Sequence, residues 1–237
     1  MPDKLARTLL AALRRVADPA KAPQMQAYMK SAMPYLGVSA VPLRATCREV
    51  FAGLPLPSAD AWRGLVLGLF RGARFREERY AAIELSGVAR ARAFQTLDAL
   101  PMYEEMIVAG AWWDYVDVIA AHRLGPLLRG APREMKAAML AWSRGEHLWK
   151  RRAAILCQLR FKADTDLELL YACIEPSVGS GEFFLRKGIG WALRQHAWTD
   201  PREVLRYVKA NRARLSPLTK REALKNVVKQ GLAPGVP

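Results

Sequence analysis

Cysteine and histidine are scarce in this chain, and the few present are scattered. Cys47, Cys157 and Cys173 are an odd number of thiols without paired spacing, which excludes a disulfide framework and fits a reducing compartment. All three read as small buried hydrophobes. His122, His147 and His196 stand far apart, outside any H-E-x-x-H or C-x-x-C pattern, so zinc is offered no cluster of ligands. No metal and no cofactor is expected. No apolar run reaches the roughly 18 residues of a membrane span. The opening segment MPDKLARTLLAALRRVAD carries charges inside its apolar stretch, so it reads as an amphipathic helix and not as a signal peptide. Strand-type alternation of Val, Ile and Thr is nearly absent. Gly179-Ser180-Gly181 lacks both the preceding strand and the G-K-[ST] of a phosphate loop, and reads as a turn before a helix starting near Gly181. Acidic residues are short as well: 22 Asp and Glu against 37 Lys and Arg leave a formal charge of +15.

What is present is an ordinary globular composition. Apolar residues make up 51 % of 237, which excludes intrinsic disorder. No polar linker divides the chain, so residues 1–237 are read as one domain, a soluble cytoplasmic monomer. Segments with helical apolar spacing alternate with short Pro, Gly and Asp breaks, and helix starts are expected near Pro2, Pro23, Pro42, Ser58, Phe75, Phe94, Ala111, Pro132, Glu146, Asp164, Gly181, Asp200 and Leu218. The fold class is all-α.

An internal repeat sharpens that reading. Arg79-Tyr80-Ala81-Ala82-Ile83, Tyr115-Val116-Asp117-Val118-Ile119, Arg151-Arg152-Ala153-Ala154-Ile155, Lys187-Gly188-Ile189-Gly190-Trp191 and Arg221-Glu222-Ala223-Leu224-Lys225 align, with starts 36, 36, 36 and 34 residues apart. Two helices per unit at this period describe an α-solenoid of HEAT-like repeats, a single curved domain whose concave face takes one helix from each pair. Small residues in mid-block allow each helix to approach its neighbour closely.

The basic residues recur at the same period. Lys150-Arg151-Arg152, Arg186-Lys187 and Lys220-Arg221 open successive aligned helices, and in a solenoid such positions stack into a stripe. A stripe of one sign fits a polyanion, and nucleic acid is the expected partner. A membrane surface fits less well, because no helix pairs a basic face with an exposed bulky apolar one.

One carboxylate breaks the pattern. Asp117 occupies the register position held by Ala153, Ile189 and Ala223 in other repeats, where a carboxylate does nothing for packing. Trp113 lies four residues before it and shares its helix face. Asp114 suits a first-turn role. Arg152 falls one position before the Asp117 equivalent in the next repeat, within reach of the carboxylate, and Trp191 lies two past it in the repeat after. On residues alone, core filling by Trp113 and Trp191 stays open.

Several long motifs, in one order from about Lys4 to Lys229, resemble the DNA alkylation repair glycosylases of the AlkD type. They include Ala27-Tyr28-Met29-Lys30, Tyr35-Leu36-Gly37-Val38, Trp112-Trp113-Asp114-Tyr115-Val116-Asp117, Trp149 through Leu156, Phe183-Phe184 through Lys187, Ile189 through Arg194, and Pro217 through Ala223. The resemblance implies a superhelix of HEAT-like repeats, with Asp117 as catalytic carboxylate, Trp113 and Trp191 flanking the lesion's deoxyribose, and Arg152 in the same cleft. It implies a lesion that stays stacked, without base flipping. Ser39 stands where the family pattern has a Gln after Leu-Gly-Val, which bears on lesion preference. The DNA-binding set that follows is Tyr28, Ser39, Arg44, Arg151, Lys187, Arg194, Lys220 and Arg221.

The implied chemistry is consistent with the residues. A purine alkylated at N3 or N7 is cationic and departs as a neutral base, so the enzyme must chiefly stabilise an oxocarbenium-like sugar. One carboxylate and two indole faces suit that task. No second carboxylic acid stands by to protonate a poor leaving group, and no Lys amine joins the cluster for a Schiff-base step. Two other functions remain open at this level: a catalytically silent helical-repeat binder of DNA structure, and a protein-binding adaptor.

Overall fold

Fourteen α-helices form among the described residues, 2–232 of the computed structural model, and no strand accompanies them. None of the described helices is long and apolar enough to cross a membrane. The chain divides into two compact units, one ending at Met102 and the other beginning at Tyr103.

The first unit holds α1 (Pro2–Arg15), α2 (Ala22–Met29), α3 (Ala40–Phe51), α4 (Ala59–Gly72) and α5 (Arg76–Leu85). Helix α1 packs on α3 and α4, and α5 packs on both of those. Their shared interior is built from Leu9, Leu13, Trp62, Val66 and Phe70, all buried. The Leu36-Gly37-Val38 segment before α3 is tied down by a side chain the sequence does not single out. Glu77 of α5 is fully buried and accepts the backbone N–H groups of Leu36, Gly37 and Val38 at 2.9–3.1 Å. Gly37 has φ +85°, and a Cβ there would meet the Asp18 carbonyl oxygen at 1.9 Å, so the motif requires glycine on both counts.

The boundary falls within α6 (Leu100–Gly110), and the second unit continues through α7 (Trp113–Ile119), α8 (Gly125–Gly130), α9 (Pro132–Arg144), α10 (Leu148–Leu156), α11 (Leu167–Ile174), α12 (Phe183–His196), α13 (Pro201–Ala210) and α14 (Pro217–Lys229). Helices α7, α10, α12 and α14 pack in that order as one layer, and α9, α11 and α13 form the second. This is the stacking of helix pairs that defines an α-solenoid. Four of the five aligned blocks lie in α7, α10, α12 and α14, and the first lies in α5 of the first unit. Their equivalent positions Ala81, Ala153, Ile189 and Ala223 are fully buried, so the register read from the sequence is the packing register.

Most helix starts follow from local chemistry. The side chains of Ser58, Asp166, Asp200 and Ser216 each accept the N–H three residues on, at 2.9–3.1 Å. Three expected starts are corrected. The one near Asp164 falls on a 3-10 turn, Lys162–Asp164, and α11 begins at Leu167 behind its Asp166 cap. No α-helix begins near Phe94: Ala89–Phe94 and Leu97–Ala99 are 3-10 turns, and α6 starts at Leu100. Thr96 is extended, and the Gln95 amide donates back to the Val88 carbonyl, which interrupts the helical ladder. The helix expected from Gly181 begins instead at Phe183, because Ser180 Oγ accepts the Glu182 N–H and closes a turn there. Between α7 and α8 the chain winds as a π-turn over Ala120–Leu124, just ahead of Pro126, which has no N–H to donate to the ladder.

Candidate functional site

Asp117 lies on α7 in the slot that is apolar or small elsewhere in the repeat, and it is buried, with 8 % exposure. Its compensation comes from α10. Arg152 Nε donates to Asp117 Oδ1 at 2.7 Å and Nη2 donates to Oδ2 at 2.8 Å, a two-pronged ion pair. The third arm of the guanidinium, Nη1, donates to the Phe184 carbonyl of α12 at 2.5 Å. One guanidinium therefore joins three successive helices of the layer.

The guanidinium fits because α12 has no side chain where it lies. A Cβ on Gly188 would meet Arg152 Nη1 at 3.1 Å. Around the pair, Trp112 before α7, Trp149 of α10 and Phe184 of α12 form a ring cluster with centroids 4.9–5.9 Å apart. These aromatic groups pin the N-terminal ends of the same three helices, so the pair sits on a rigid base. No sequence spacing links Trp112, Trp149 and Phe184, and only the spatial meeting of three helix starts makes them one feature.

Burial pushes the Asp117 carboxyl above the usual carboxylate range. The hydrogen bonds and charge of Arg152 oppose that push, and the neighbouring Asp114 charge adds to it. Both oxygens accept from guanidinium N–H groups, which is the arrangement of the ionised form. Asp114 itself lies in the first turn of α7, where a carboxylate faces the positive end of the helix.

Trp113 opens α7 one turn before Asp117, and Trp191 lies on α12; both are half-buried. On α12, Phe184, Lys187, Trp191 and Arg194 recur at helical spacing along one half-exposed face. The expected basic positions prove to be unequal. Arg152 faces inward. Arg151 is held by Ser177 Oγ at 2.9 Å and by the Pro176 carbonyl at 2.7 Å. Lys187 and Arg194 are both paired with Glu222 of α14. The Lys220 ammonium donates to the Arg212 carbonyl at 3.3 Å, and Arg221 is exposed. Lys150 lies 2.5 Å from Glu104 and over the Trp142 ring. In the first unit Tyr28 is 74 % exposed on α2, Ser39 precedes α3 and Arg44 is exposed on it. Glu222 escaped sequence reasoning, although a signal existed: it holds the same register position as Arg152, so both repeats place a charge where Gly188 and Val116 stand elsewhere.

No group of three or more His, Cys, Asp and Glu able to hold a metal exists among the described residues. The three cysteines are buried thiols; burial raises Cys47 and Cys173 to about 12 and Cys157 well above its usual value, so none is a nucleophile at neutral pH.

The fold and site define an all-helical repeat protein in which the buried Asp117 carboxylate is clamped by Arg152, with half-buried Trp113 one turn before it on the same helix. The chain belongs to the DNA alkylation repair enzyme family, whose model matches residues 9–227. A solved structure of a predicted DNA alkylation repair enzyme from Enterococcus faecalis is 28 % identical, covers 90 % of this chain and 97 % of its own, and superposes with a TM-score of 0.79. No curated protein matches the chain. Family membership gives the chain a role in DNA alkylation repair.

Proposed function

We propose that this protein is a monofunctional DNA glycosylase that excises cationic N3- and N7-alkylated purines from duplex DNA. The observation that carries the reading is the buried Asp117 paired through both of its oxygens with Arg152, one helical turn from Trp113. A cationic purine needs little help to leave, and the developing positive charge on the deoxyribose is met by the carboxylate and by the faces of Trp113 and Trp191. Asp117 also orients the attacking water. The lesion stays stacked in the duplex while Asp117 and the two indoles work on its sugar. The chain acts as a monomer, associated with the nucleoid in the cytoplasm, and needs no cofactor. Residues 1–237 serve this one activity as a single domain, with Tyr28, Ser39, Arg44, Arg151, Lys187, Arg194, Lys220 and Arg221 meeting the DNA.

The test is base release from duplexes that each carry one defined lesion. N3-methyladenine and N7-methylguanine should be released, whereas uracil and hypoxanthine should not, because a neutral base departs as an anion unless an acid protonates it. Efficient uracil release would show that an acid has been missed. One observation favours a second reading: Asp117 is only 8 % exposed and both its oxygens are engaged. If the pair is architectural, the protein is a silent binder of DNA structure, and it will bind alkylated duplex yet release neither cationic base.

A further inference from the structure

Three cations meet one buried carboxylate where α12 crosses α14. Glu222 Oε1 accepts from Lys187 Nζ at 3.0 Å and from Lys225 Nζ at 2.7 Å, and Oε2 accepts from Arg194 Nη1 at 2.8 Å. The Glu222 side chain is 7 % exposed, whereas those of Lys187, Arg194 and Lys225 are 38 %, 28 % and 47 % exposed. The hub is closely built, since a Cβ on Gly190 would lie 2.5 Å from Glu222 Cβ. Burial pushes the Glu222 carboxyl up, but the hydrogen bonds and charges of Lys225 and Lys187 outweigh it and hold the group below its usual range.

Cementing two helices needs one cation on this carboxylate. Three are present, so three positive charges less one negative leave +2 on a half-exposed surface. The donors are far from exhausted. Each ammonium carries three N–H groups and the guanidinium five, and each cation spends one of them on Glu222. Lys187 and Arg194 share the face of α12 that carries Trp191. Glu222 thus works as a buried anchor that holds three otherwise mobile side chains in one place, their remaining N–H groups unspent.

We propose that Lys187, Arg194 and Lys225, gathered on Glu222, form a binding site for one phosphodiester group of the DNA backbone. The proposal rests on the DNA-binding reading above. It adds Lys225 as a contact and makes Glu222 a positioning residue. A phosphodiester is a single negative charge with two terminal oxygens, which suits converging ammonium and guanidinium donors.

The experiment places one neutral methylphosphonate at each backbone position of a duplex in turn and measures affinity against salt. Wild-type protein should show one position where neutralisation weakens binding, and that penalty should vanish in Lys225→Gln and Arg194→Gln. Each substitution should lower the slope of log K against log salt by about 1. Lys136→Gln, a lysine of α9 that is 48 % exposed and paired with Asp166, should leave both readouts unchanged. Glu222→Gln adds a net positive charge, so attraction by net charge alone would tighten binding; loss of the anchor should instead abolish the position-specific penalty. Lys225→Gln with wild-type affinity, slope and methylphosphonate sensitivity overturns the phosphate site alone. Wild-type protein that fails to bind duplex DNA overturns the DNA-binding reading with it.

Discussion

Replacing Arg152 with Gln removes the guanidinium that engages both Asp117 oxygens, at 2.7 and 2.8 Å, and the Phe184 carbonyl at 2.5 Å. Gln is too short to rebuild the fork. A buried ion pair stripped of one partner costs ~3–5 kcal/mol, because the other charge stays buried and uncompensated. A carboxylate escapes that cost by taking a proton. Burial already pushes Asp117 up, and Arg152 is what opposes the push. Each ~1.4 kcal/mol corresponds to one pH unit, so the acid limb of the excision rate should move up by roughly two pH units or more. At neutral pH the variant should be strongly impaired, and alkaline buffer should restore much of the rate. The assay is single-turnover release of N7-methylguanine from duplex DNA across a pH series, with wild type and Arg152→Gln side by side. An acid limb at the same pH in both proteins would refute the coupling, as would a loss of rate that no pH recovers in a folded variant.

Other consequences are equally direct. Gly188→Ala should slow excision, since its Cβ would press on Arg152 Nη1 from 3.1 Å; an unchanged single-turnover rate would contradict the clamp. Trp149→Ala should cost ~3–5 kcal/mol in urea unfolding, because Trp149 is the buried ring that meets both Trp112 and Phe184. Glu77→Ala leaves three backbone N–H groups unanswered in the 36–38 segment, and at ~1–3 kcal/mol each it should destabilise the first unit and speed amide exchange there. Because burial raises Asp117 above its unfolded value, its contribution to stability is fully present below the ordinary carboxylate range and is lost as pH rises through the raised value. The stability of wild type relative to the non-titrating Asp117→Asn should therefore fall as pH rises from ~4 towards neutrality, measured by urea unfolding.

How far the sequence alone reaches depends on whether a feature is local or periodic. The repeat register was readable because each inner helix meets its neighbours in the same way, so Ala81, Ala153, Ile189 and Ala223 are buried alike. Against that background Asp117 is conspicuous, and Arg152, one register position away on the next helix, is its partner in space. Glu222 sits in the Arg152 register position, but beside Lys220 and Arg221 the run reads as part of a basic stripe, and only its neighbours on α12 show that its carboxylate gathers cations. The Trp112, Trp149 and Phe184 cluster and the Glu77 anchor join segments about 35–75 residues apart, and no spacing rule links them. The absent helix near Phe94 has a tertiary cause too: Arg90 donates to the Phe51 and Leu54 carbonyls at 2.6 and 2.7 Å, holding the segment in a 3-10 turn.

The most direct test of the catalytic assignment pairs two measurements on Asp117→Asn: single-turnover release of N3-methyladenine or N7-methylguanine, and affinity for the same duplex. Asn keeps the shape and loses the charge, so release should nearly vanish while binding holds or tightens slightly, as expected for a group that acts on the transition state. Release at the wild-type rate by Asp117→Asn would contradict the assignment and make the Asp117–Arg152 pair a structural clamp.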